Sequence, residues 1–210
     1  TSPLLTMNRT RSEWDTLTAA ERAAKLSAAG SASLGVEMRI DAEGEVLARG
    51  NVIMQGYWDQ QEATADAIHA ASDDAGGVEW FHTGDGGDID ADHYLAISDR
   101  KKDVIISGGE NVSSIEVEDA LFSHPDVTEV AVIGIPDDKW GELVLGLVVK
   151  APGSTLSEEE LISYCRTKIA AYKCPKKVEF RSELARTATG KLQKFKLRAP
   201  YWDGYTKQVN

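Results

Sequence analysis

The second half of the chain carries short apolar runs separated by polar turns, which is the pattern of a small mixed domain. Strands are predicted at the alternating or apolar runs 104–107, 127–134, 143–150 and 177–181. Two helices are predicted between them, which gives the order strand, helix, strand, strand, helix, strand. That order is typical of a small α+β domain with its helices on one face of a sheet.

Both predicted helices begin at a serine that can cap the first turn. Ser113 or Ser114 precedes apolar residues that fall on one side of a helix, which ends before a His-Pro dipeptide. Ser157, followed three residues later by Glu160, predicts a capping box. The helix that follows is expected to run for about three turns and to end near residue 171.

The first half shows helix-prone and β-like pieces without a complete alternating unit. An Ala-rich run over 11–29 predicts a helix, and two β-like runs begin at Leu34 and Glu45. A Gly- and Asp-rich stretch over 72–92 predicts loops around one short strand at 79–82. We therefore expect a domain boundary between residues 98 and 99.

The charge distribution supports the same boundary. The chain of 210 residues has a formal charge of −11, and residues 1–98 carry all of it, with 6 basic against 17 acidic side chains. Residues 99–210 are balanced at 17 against 17, although 163–210 hold 12 basic and 3 acidic residues. This basic segment favours an anionic ligand such as a nucleotide, the phosphates of CoA or a nucleic acid, and the alternative is a solvated basic face.

Composition excludes several classes of protein. With 42% hydrophobic and 27% charged residues, the sequence is typical of a globular protein and unlike disordered, collagenous or coiled-coil chains. No apolar run approaches the ~20 residues that cross a bilayer, and the start does not resemble a signal peptide. Cys165 and Cys174 fit no metal or redox spacing, so reduced thiols and a cytoplasmic location are expected. The net negative charge argues against nucleic acid as a partner.

The first segment with candidate chemistry is Thr83-Gly84-Asp85, which two further glycines follow. We expect it to place a carboxylate in a loop that a ligand can approach closely. A carboxylate there suits a pair of neighbouring hydroxyl groups, because it accepts two hydrogen bonds at once. An Asx turn without a ligand is the open alternative.

The second segment is a run of five charges, Asp99-Arg100-Lys101-Lys102-Asp103, at the predicted domain boundary. Such a run is usually a solvated linker, and it also suits a hinge, because hinge residues lie at element ends and absorb changes in φ and ψ. Arg100 would add a planar donor to the same hydroxyl groups or to a phosphate.

Two further segments combine glycine with polar residues. Ser107-Gly108-Gly109-Glu110-Asn111 is predicted to be a strand-to-helix turn that lets a narrow ligand pass close to the backbone, or simply a tight turn. Thr187-Ala188-Thr189-Gly190-Lys191 places a mobile lysine in the basic segment, where it can stabilise developing negative charge. The sequence contains no GxxxxGK[ST] phosphate loop, no Ser-His-Asp set and no metal-like spacing of its histidines.

The order of these segments is specific to one group of enzymes. The chain contains, in succession, GNVIMQGYW, FHTGD, SDRKKDVIISGGENVSSIEVEDAL, HPDVTEVAVIGIPDDKWGE and ARTATGKLQKFKLR. Together they resemble the carboxy-terminal half of the adenylate-forming superfamily, and most of all its acyl-CoA synthetases, the fatty-acid–CoA ligases. The resemblance runs from about Thr1 to Arg198.

The resemblance implies a fold and a reaction. Residues 1–98 would be the β-rich end of a large AMP-binding domain, and residues 99–210 a small mobile α+β domain. A carboxylic acid, expected to be a medium- or long-chain fatty acid, and ATP would give an acyl-adenylate and pyrophosphate. The thiol of CoA would then displace AMP.

The resemblance also implies roles for individual residues. Asp85 and Arg100 would hold the ribose hydroxyl groups, and Lys191 would orient the carboxylate against the α-phosphate. Lys102 would be the hinge about which the small domain swings between the two steps. The CoA contacts would come from Gly108, Gly109 and Glu110 along the pantetheine, and from Trp140, Tyr172 and Lys173 near the nucleotide.

This sequence also departs from the family pattern. In relatives a phosphate loop and a later Thr-Glu segment come first, so the groups for pyrophosphate and Mg²⁺, and most of the acyl pocket, are expected in a missing N-terminal part. The isolated fragment is expected to be inactive. Gly86 stands where many relatives have an apolar residue. A homo-oligomer is possible.

Two other functions stay open at this point. An adenylation domain would deliver the acyl group to a carrier protein, although no carrier segment follows QKFKLRAPYW. A non-catalytic module would use the basic segment to bind an anion or a partner, with a steep dependence on salt.

Overall fold

The computed structural model describes residues 4–73 and 76–205, and the chain divides into two compact units, Thr1–Lys101 and Lys102–Asn210. The division lies just beyond the boundary expected at 98/99, because the strand Leu95–Arg100 belongs to the first unit. Each unit has its own sheet and its own hydrophobic core.

The first unit is rich in β-structure. Its strands are β1 Thr6–Met7, β2 Ser31–Ala32, β3 Val36–Ile40, β4 Glu45–Gly50, β5 Ile68–Ala70, β6 Glu79–Ile89 and β7 Leu95–Arg100. β1 pairs with β2, and the others form an antiparallel sheet in the order β3-β4-β6-β5, with β7 also paired to β6. Leu47, Ala71 and Trp80 form its buried cluster.

The prediction of one helix over 11–29 is wrong. A 3₁₀ helix, Ser12–Thr16, comes first, and α1, Ala19–Ser27, begins after it. The break occurs at Thr18, whose side chain accepts a hydrogen bond from the Glu21 amide while the Glu21 carboxylate accepts one from the Thr18 amide. This capping box ends the preceding turn by fixing Thr18 in an extended conformation. The second helix of the unit, α2, is Gln61–Ala67.

The second unit is a mixed domain, as predicted. Its strands are β8 Ile105–Ser107, β9 Glu110–Val112, β10 Val127–Asp137, β11 Gly141–Lys150 and β12 Lys177–Phe180. Its helices are α3 Ser114–Phe122, α4 Glu158–Arg166 and α5 Lys194–Arg198, followed by the 3₁₀ turn Ala199–Tyr201. The sheet has the order β10-β11-β8-β9, and β12 lies parallel to β11.

Serine caps both longer helices. Ser113, rather than Ser114, accepts a hydrogen bond from the Glu116 amide at the start of α3. Ser157 and Glu160 form the predicted capping box at the start of α4. This helix ends at Arg166, earlier than predicted, and the chain continues in turns before β12.

Both faces of the β10–β11 hairpin are covered. Val132 packs in the cluster that contains residues of α3 and α4, whereas its neighbour Ile133 packs in a second cluster with Leu184 and Leu197. Side chains alternate between the faces of a strand, so consecutive residues enter different cores. The sequence pattern predicted helices on one face, and α5 with the segment before it covers the other.

Cys165 in α4 and Cys174 before β12 are buried as unpaired thiols in the cluster that includes α3 and α4. Burial and the neighbouring Cys174 raise the pKa of the Cys165 thiol to about 12. Within the two described ranges, no helix has both the length and the apolar character needed to cross a membrane.

Candidate functional site

The pairing of β6 with β7 brings Asp85 opposite Arg100. Arg100 Nε lies 3.5 Å from Asp85 Oδ1, and the guanidinium side chain is 73% exposed. The prediction that the Thr83-Gly84-Asp85 segment forms a loop is wrong, because β6 continues through it. Gly84 has a φ of +75°, and a bulge follows between Gly86 and Gly87, so the strand passes these positions with irregular backbone.

The Asp85 carboxylate is partly buried beside other charges. Burial raises its pKa above the usual value, Arg100 lowers it, and the carboxylates of Glu45 and Asp99 raise it again, with a net upward shift. An accessible guanidinium beside a partly desolvated carboxylate offers a donor and an acceptor to the same ligand. This arrangement suits a ligand with hydroxyl groups close to a negative charge.

A buried glutamate, Glu45, holds the backbone next to Asp85. Its Oε1 accepts a hydrogen bond from the Gly84 amide at 2.8 Å, and its Oε2 lies 3.2 Å from both His82 Nδ1 and Lys101 Nζ. Burial raises the pKa of Glu45, but the hydrogen bonds from His82, Gly84 and Lys101 outweigh it and lower the pKa. No sequence pattern points to this residue, because a glutamate that begins a β-like run is typical of an exposed strand end.

Among the described residues, one trio of side chains approaches the geometry of a metal site. Ligand atoms of Asp41, Glu45 and His82 lie within 4.8 Å of one another. Asp41 Oδ1 already accepts hydrogen bonds from the backbone amides of Glu43 and Glu45, and the ammonium of Lys101 lies against the Glu45 carboxylate. This trio does not fit Mg²⁺, because the Lys101 ammonium already neutralises the Glu45 carboxylate that would have to bind the metal.

In the second unit, the glycine turn after β8 lies under a tryptophan ring. The prediction of a strand-to-helix turn is wrong, since Gly108 and Gly109 connect β8 to β9 in a hairpin. The Gly108 amide donates to the Trp140 carbonyl at 2.8 Å, and a Cβ at Gly108 would lie 2.7 Å from Trp140 Cε3. The ring therefore packs on bare backbone at a residue with a φ of +65°. Glu110 begins β9 and is exposed.

Two lysines flank the Trp140 ring. Lys139 Nζ lies 4.9 Å and Lys176 Nζ 5.7 Å from its centroid. Lys173, by contrast, donates to both oxygens of Glu116 at 2.6 and 2.8 Å, and this hydrogen-bonded pair raises the pKa of Lys173. Trp140 and its lysines thus form a cationic aromatic surface, whereas the charge of Lys173 is neutralised by a carboxylate. Tyr172 is half-exposed.

Lys191 lies at the end of an ordered turn. The Thr187 amide donates to the Lys191 carbonyl at 2.8 Å, and the Lys191 amide donates to Thr187 Oγ1 at 3.1 Å. Arg186 Nη1 donates to the Gly190 carbonyl at 2.7 Å. Within residues 4–73 and 76–205, the exposed Lys191 side chain has no hydrogen-bond or ion-pair partner. A cation presented in this way is available to an anionic ligand.

The basic segment is partly neutralised by acidic residues of its own unit. Ion pairs link Lys173 to Glu116, Lys177 and Arg181 to Glu179, Arg186 to Glu129, Lys194 to Glu118, and Arg198 to Asp103. Much of the positive charge counted in the sequence is therefore neutralised within the second unit, which weakens the case for a general anion-binding surface.

Residues 116–191 match the family model of the AMP-binding enzyme C-terminal domain. The chain belongs to the AMP-binding enzyme superfamily. The match spans α3 to the Lys191 turn and so contains most of the second unit. The expected membership in this superfamily and the expected α+β fold are both confirmed.

The relatives of the chain within the AMP-binding superfamily include acid–CoA ligases. It is 47% identical to long-chain-fatty-acid–CoA ligase FadD13 of Mycobacterium tuberculosis over 164 residues, which are 78% of this chain and 31% of FadD13. The chain spans about a third of the length of the curated relatives it matches.

Solved structures of the superfamily show the same fold. ATP-bound MatB from Rhodopseudomonas palustris superposes with a TM-score of 0.75 at 36% identity, over 86% of this chain and 37% of MatB. The o-succinylbenzoate CoA synthetase MenE of Bacillus subtilis, in complex with its acyl-adenylate intermediate, gives 0.72 at 33% identity, again over 86% and 37%. Its acid differs from that of FadD13, so the acid varies among the relatives.

Proposed function

We propose that this chain is the carboxy-terminal part of an ATP-dependent acyl-CoA ligase that activates a carboxylic acid as acyl-AMP and transfers it to CoA. The observation that carries the proposal is the register of β6 and β7, which sets Asp85 opposite Arg100 at the end of the first unit. The CoA ligases among the relatives, and the ATP and acyl-adenylate in two of the solved structures, support the same reaction.

In the first step, a carboxylate oxygen attacks the α-phosphorus of ATP and pyrophosphate leaves. The ionised Asp85 accepts hydrogen bonds from the two ribose hydroxyl groups, and Arg100 donates to the same sugar. Lys191 places its ammonium group between the acid and the α-phosphate, where negative charge develops. Fixed positive charge and correct orientation are the main sources of rate for such a displacement.

In the second step, the thiol of CoA attacks the acyl carbonyl and AMP leaves. The turn of Gly108 and Gly109 with Glu110 would line the passage for the pantetheine, and Trp140 with Lys176 would face the CoA nucleotide. Tyr172 lies in the same basic stretch. Lys173 fits this role less well, because Glu116 already neutralises it. We assign no residue of this chain to Mg²⁺.

The acid is proposed to be a medium- or long-chain fatty acid, on the similarity to FadD13. Location in the cytoplasm stays a prediction that rests on the two unpaired cysteines. We expect the chain alone to be inactive, since it spans about a third of its relatives.

The test is a product analysis of the complete gene product that contains this chain. It is incubated with ATP, Mg²⁺, CoA and a panel of fatty, aromatic and short acids, and products are identified by mass spectrometry. Acyl-AMP together with acyl-CoA supports the ligase and identifies the acid. Acyl-AMP without a free thioester indicates a carrier protein as acceptor, and no product from any acid contradicts the proposal.

The proposed hinge gives a prediction for Lys102→Pro. Proline fixes φ and restricts the preceding residue, so the change of orientation between the two steps should be impaired. We expect thioester formation from supplied acyl-AMP to fall roughly tenfold, on the scale of a misplaced catalytic group, and adenylation to fall less. Lys102→Ala is the control, because it removes the side chain and keeps the torsions. Equal rates for the two variants in both steps would exclude Lys102 as the hinge.

The raised pKa of Asp85 predicts a loss of AMP affinity in mild acid. Protonation removes an acceptor, so affinity should fall as the pH drops toward this pKa. Arg100→Gln removes the charge that lowers the pKa of Asp85, so its midpoint should lie at a higher pH. The midpoint is measured by calorimetric titration of AMP across the acid range, with Arg49→Gln, on the exposed pair with Glu37, as the control. An unchanged midpoint in Arg100→Gln contradicts the assignment.

A further inference from the structure

The boundary between the two units falls at the Lys101-Lys102 peptide bond, and the residue on each side of it is hydrogen-bonded to its own unit. In a solvated linker, the flanking backbone would be bound to water. The residues that bind Lys101 are different from those that bind Lys102 and Asp103.

The first unit holds Lys101 through both its backbone and its side chain. The Lys101 amide donates to the Gly84 carbonyl at 2.9 Å. Its Nζ donates to Glu43 at 3.0 Å and to the buried Glu45 at 3.2 Å. Burial lowers the pKa of Lys101, but the two carboxylates outweigh it and raise the pKa, so the ammonium stays charged.

The second unit holds the next residues through Arg198, the last residue of α5. Arg198 Nη1 donates to the Lys102 carbonyl at 2.9 Å, and Nη2 donates to Asp103 Oδ1 at 3.0 Å. The Arg198 and Asp103 side chains are only 14% and 20% exposed, so these charge-assisted bonds are poorly screened. A planar guanidinium can bind the carbonyl and the carboxylate together, which an ammonium group does with less geometric precision.

The same short helix is linked to the Lys191 turn. α5 begins at Lys194, three residues after Lys191, and Lys194 Nζ lies 2.7 Å from both Ser114 Oγ and Glu118 Oε1. The segment after Lys191 is thus anchored to α3 at one end, and Arg198 anchors it to the hinge backbone at the other.

We propose that Arg198 is a positioning residue that fixes the hinge backbone to the segment carrying Lys191. Rotation is then confined to the φ and ψ torsions of Lys101 and Lys102, and the Lys191 turn follows that rotation as part of one rigid body. The inference rests on the proposed ligase function, since it concerns the delivery of Lys191 to the adenylation step. Without the Arg198 contacts, the orientation of Lys191 would spread, and fewer encounters would be productive.

The test is the Arg198→Met variant of the complete gene product, which keeps an unbranched side chain, shorter than that of arginine, and removes both hydrogen bonds. We expect kcat for adenylation to fall roughly tenfold, within the range for a misplaced catalytic group. KM for ATP should stay about unchanged, because Asp85 and Arg100 belong to the other unit. Arg198→Lys should recover part of the rate.

Arg181→Met is the matched control. The Arg181 guanidinium donates to Glu179 and to the Tyr201 hydroxyl in the same unit, and in the described part of the chain it does not bind Lys102 or Asp103. We expect this variant to keep the adenylation kinetics of the wild type. A second readout is tryptic cleavage of the folded protein after Lys102, which should be faster in Arg198→Met and unchanged in Arg181→Met, because cleavage requires local opening.

The outcomes separate this inference from the ligase function. If the wild type forms acyl-AMP and acyl-CoA but Arg198→Met behaves like Arg181→Met in kcat and in cleavage, the positioning role is wrong and the ligase stands. A loss of rate that only follows the folded fraction in thermal unfolding also overturns it. If the wild type forms no acyl-AMP from any acid, the ligase proposal fails, and the positioning role fails with it.

Discussion

Lys191→Ala is expected to lower the rate of acyl-AMP formation by roughly 10²- to 10³-fold, the loss that follows removal of one donor to a developing negative charge. The side chain is exposed at the end of an ordered turn and has no partner in the described part of the chain, so its removal should leave the fold intact. Thioester formation from supplied acyl-AMP should be largely spared, because the charge on the α-phosphate no longer has to be stabilised there. The two half-reactions are measured separately in the complete gene product.

Lys196→Ala is the matched control for that experiment. Lys196 is an exposed lysine of the same basic segment, on α5. Its Nζ lies 5.9 Å from the neighbouring Phe195 ring and has no hydrogen-bond or ion-pair partner within residues 4–73 and 76–205. It should retain wild-type rates in both half-reactions. Equal loss of both steps in Lys191→Ala would show that Lys191 does not act specifically in adenylation, and full activity would remove it from the site.

Glu45→Ala is expected to destabilise the protein by about 1–3 kcal/mol, the cost of leaving buried hydrogen-bond donors without their acceptor. The Glu45 side chain is 6% exposed and accepts bonds from Gly84, His82 and Lys101. Its loss leaves the Gly84 amide and His82 without this acceptor, and leaves Lys101 paired with Glu43 alone. AMP affinity should fall as well, because Glu45 holds the Gly84 amide and so fixes the backbone that carries the neighbouring Asp85 carboxylate. Urea unfolding and calorimetry measure the two effects.

Glu43→Ala is the control for Glu45, since Glu43 binds the same lysine from an exposed position. Its side chain is 61% exposed, and we expect a change within about 0.5 kcal/mol. The acid dependence gives a further check. The pKa of folded Glu45 lies below the usual 4.5, so its contribution to stability is present above pH 4.5 and is lost as the pH falls through the lowered pKa. Similar unfolding midpoints for both variants would contradict the buried network.

Much of the second unit could be predicted from the sequence because its strands are strongly apolar and its helices carry capping signals. The β10–β11 hairpin and the capping box at Ser157 and Glu160 are examples. α5 could not be predicted, because it is a five-residue basic segment with no apolar periodicity of its own. Its Leu197 packs against the second face of the β10–β11 hairpin, and that contact is visible only in the folded structure. The helix break at Thr18 was missed because the Ala-rich run extends past it.

The candidate site was predictable as a set of residues but not as a geometry. Asp85 and Arg100 were both singled out, yet their pairing depends on the register of two strands that sequence periodicity places only approximately. Glu45 lies far from both in sequence and acts through the backbone of Gly84, so no local pattern reports it. Charge counting also overstated the anion-binding capacity of the basic segment, because several of the acidic residues that neutralise it lie earlier in the second unit.

The buried thiols simplify the measurement of any hinge motion. Cys165 and Cys174 are almost completely inaccessible, and with its pKa raised to about 12 the Cys165 thiol forms almost no thiolate near neutral pH. Maleimide dyes and spin labels react with thiolates, so in the folded chain they should modify only a cysteine introduced at the surface. For the residues of this chain, distance measurements between two labelled positions can therefore use the native sequence as their background.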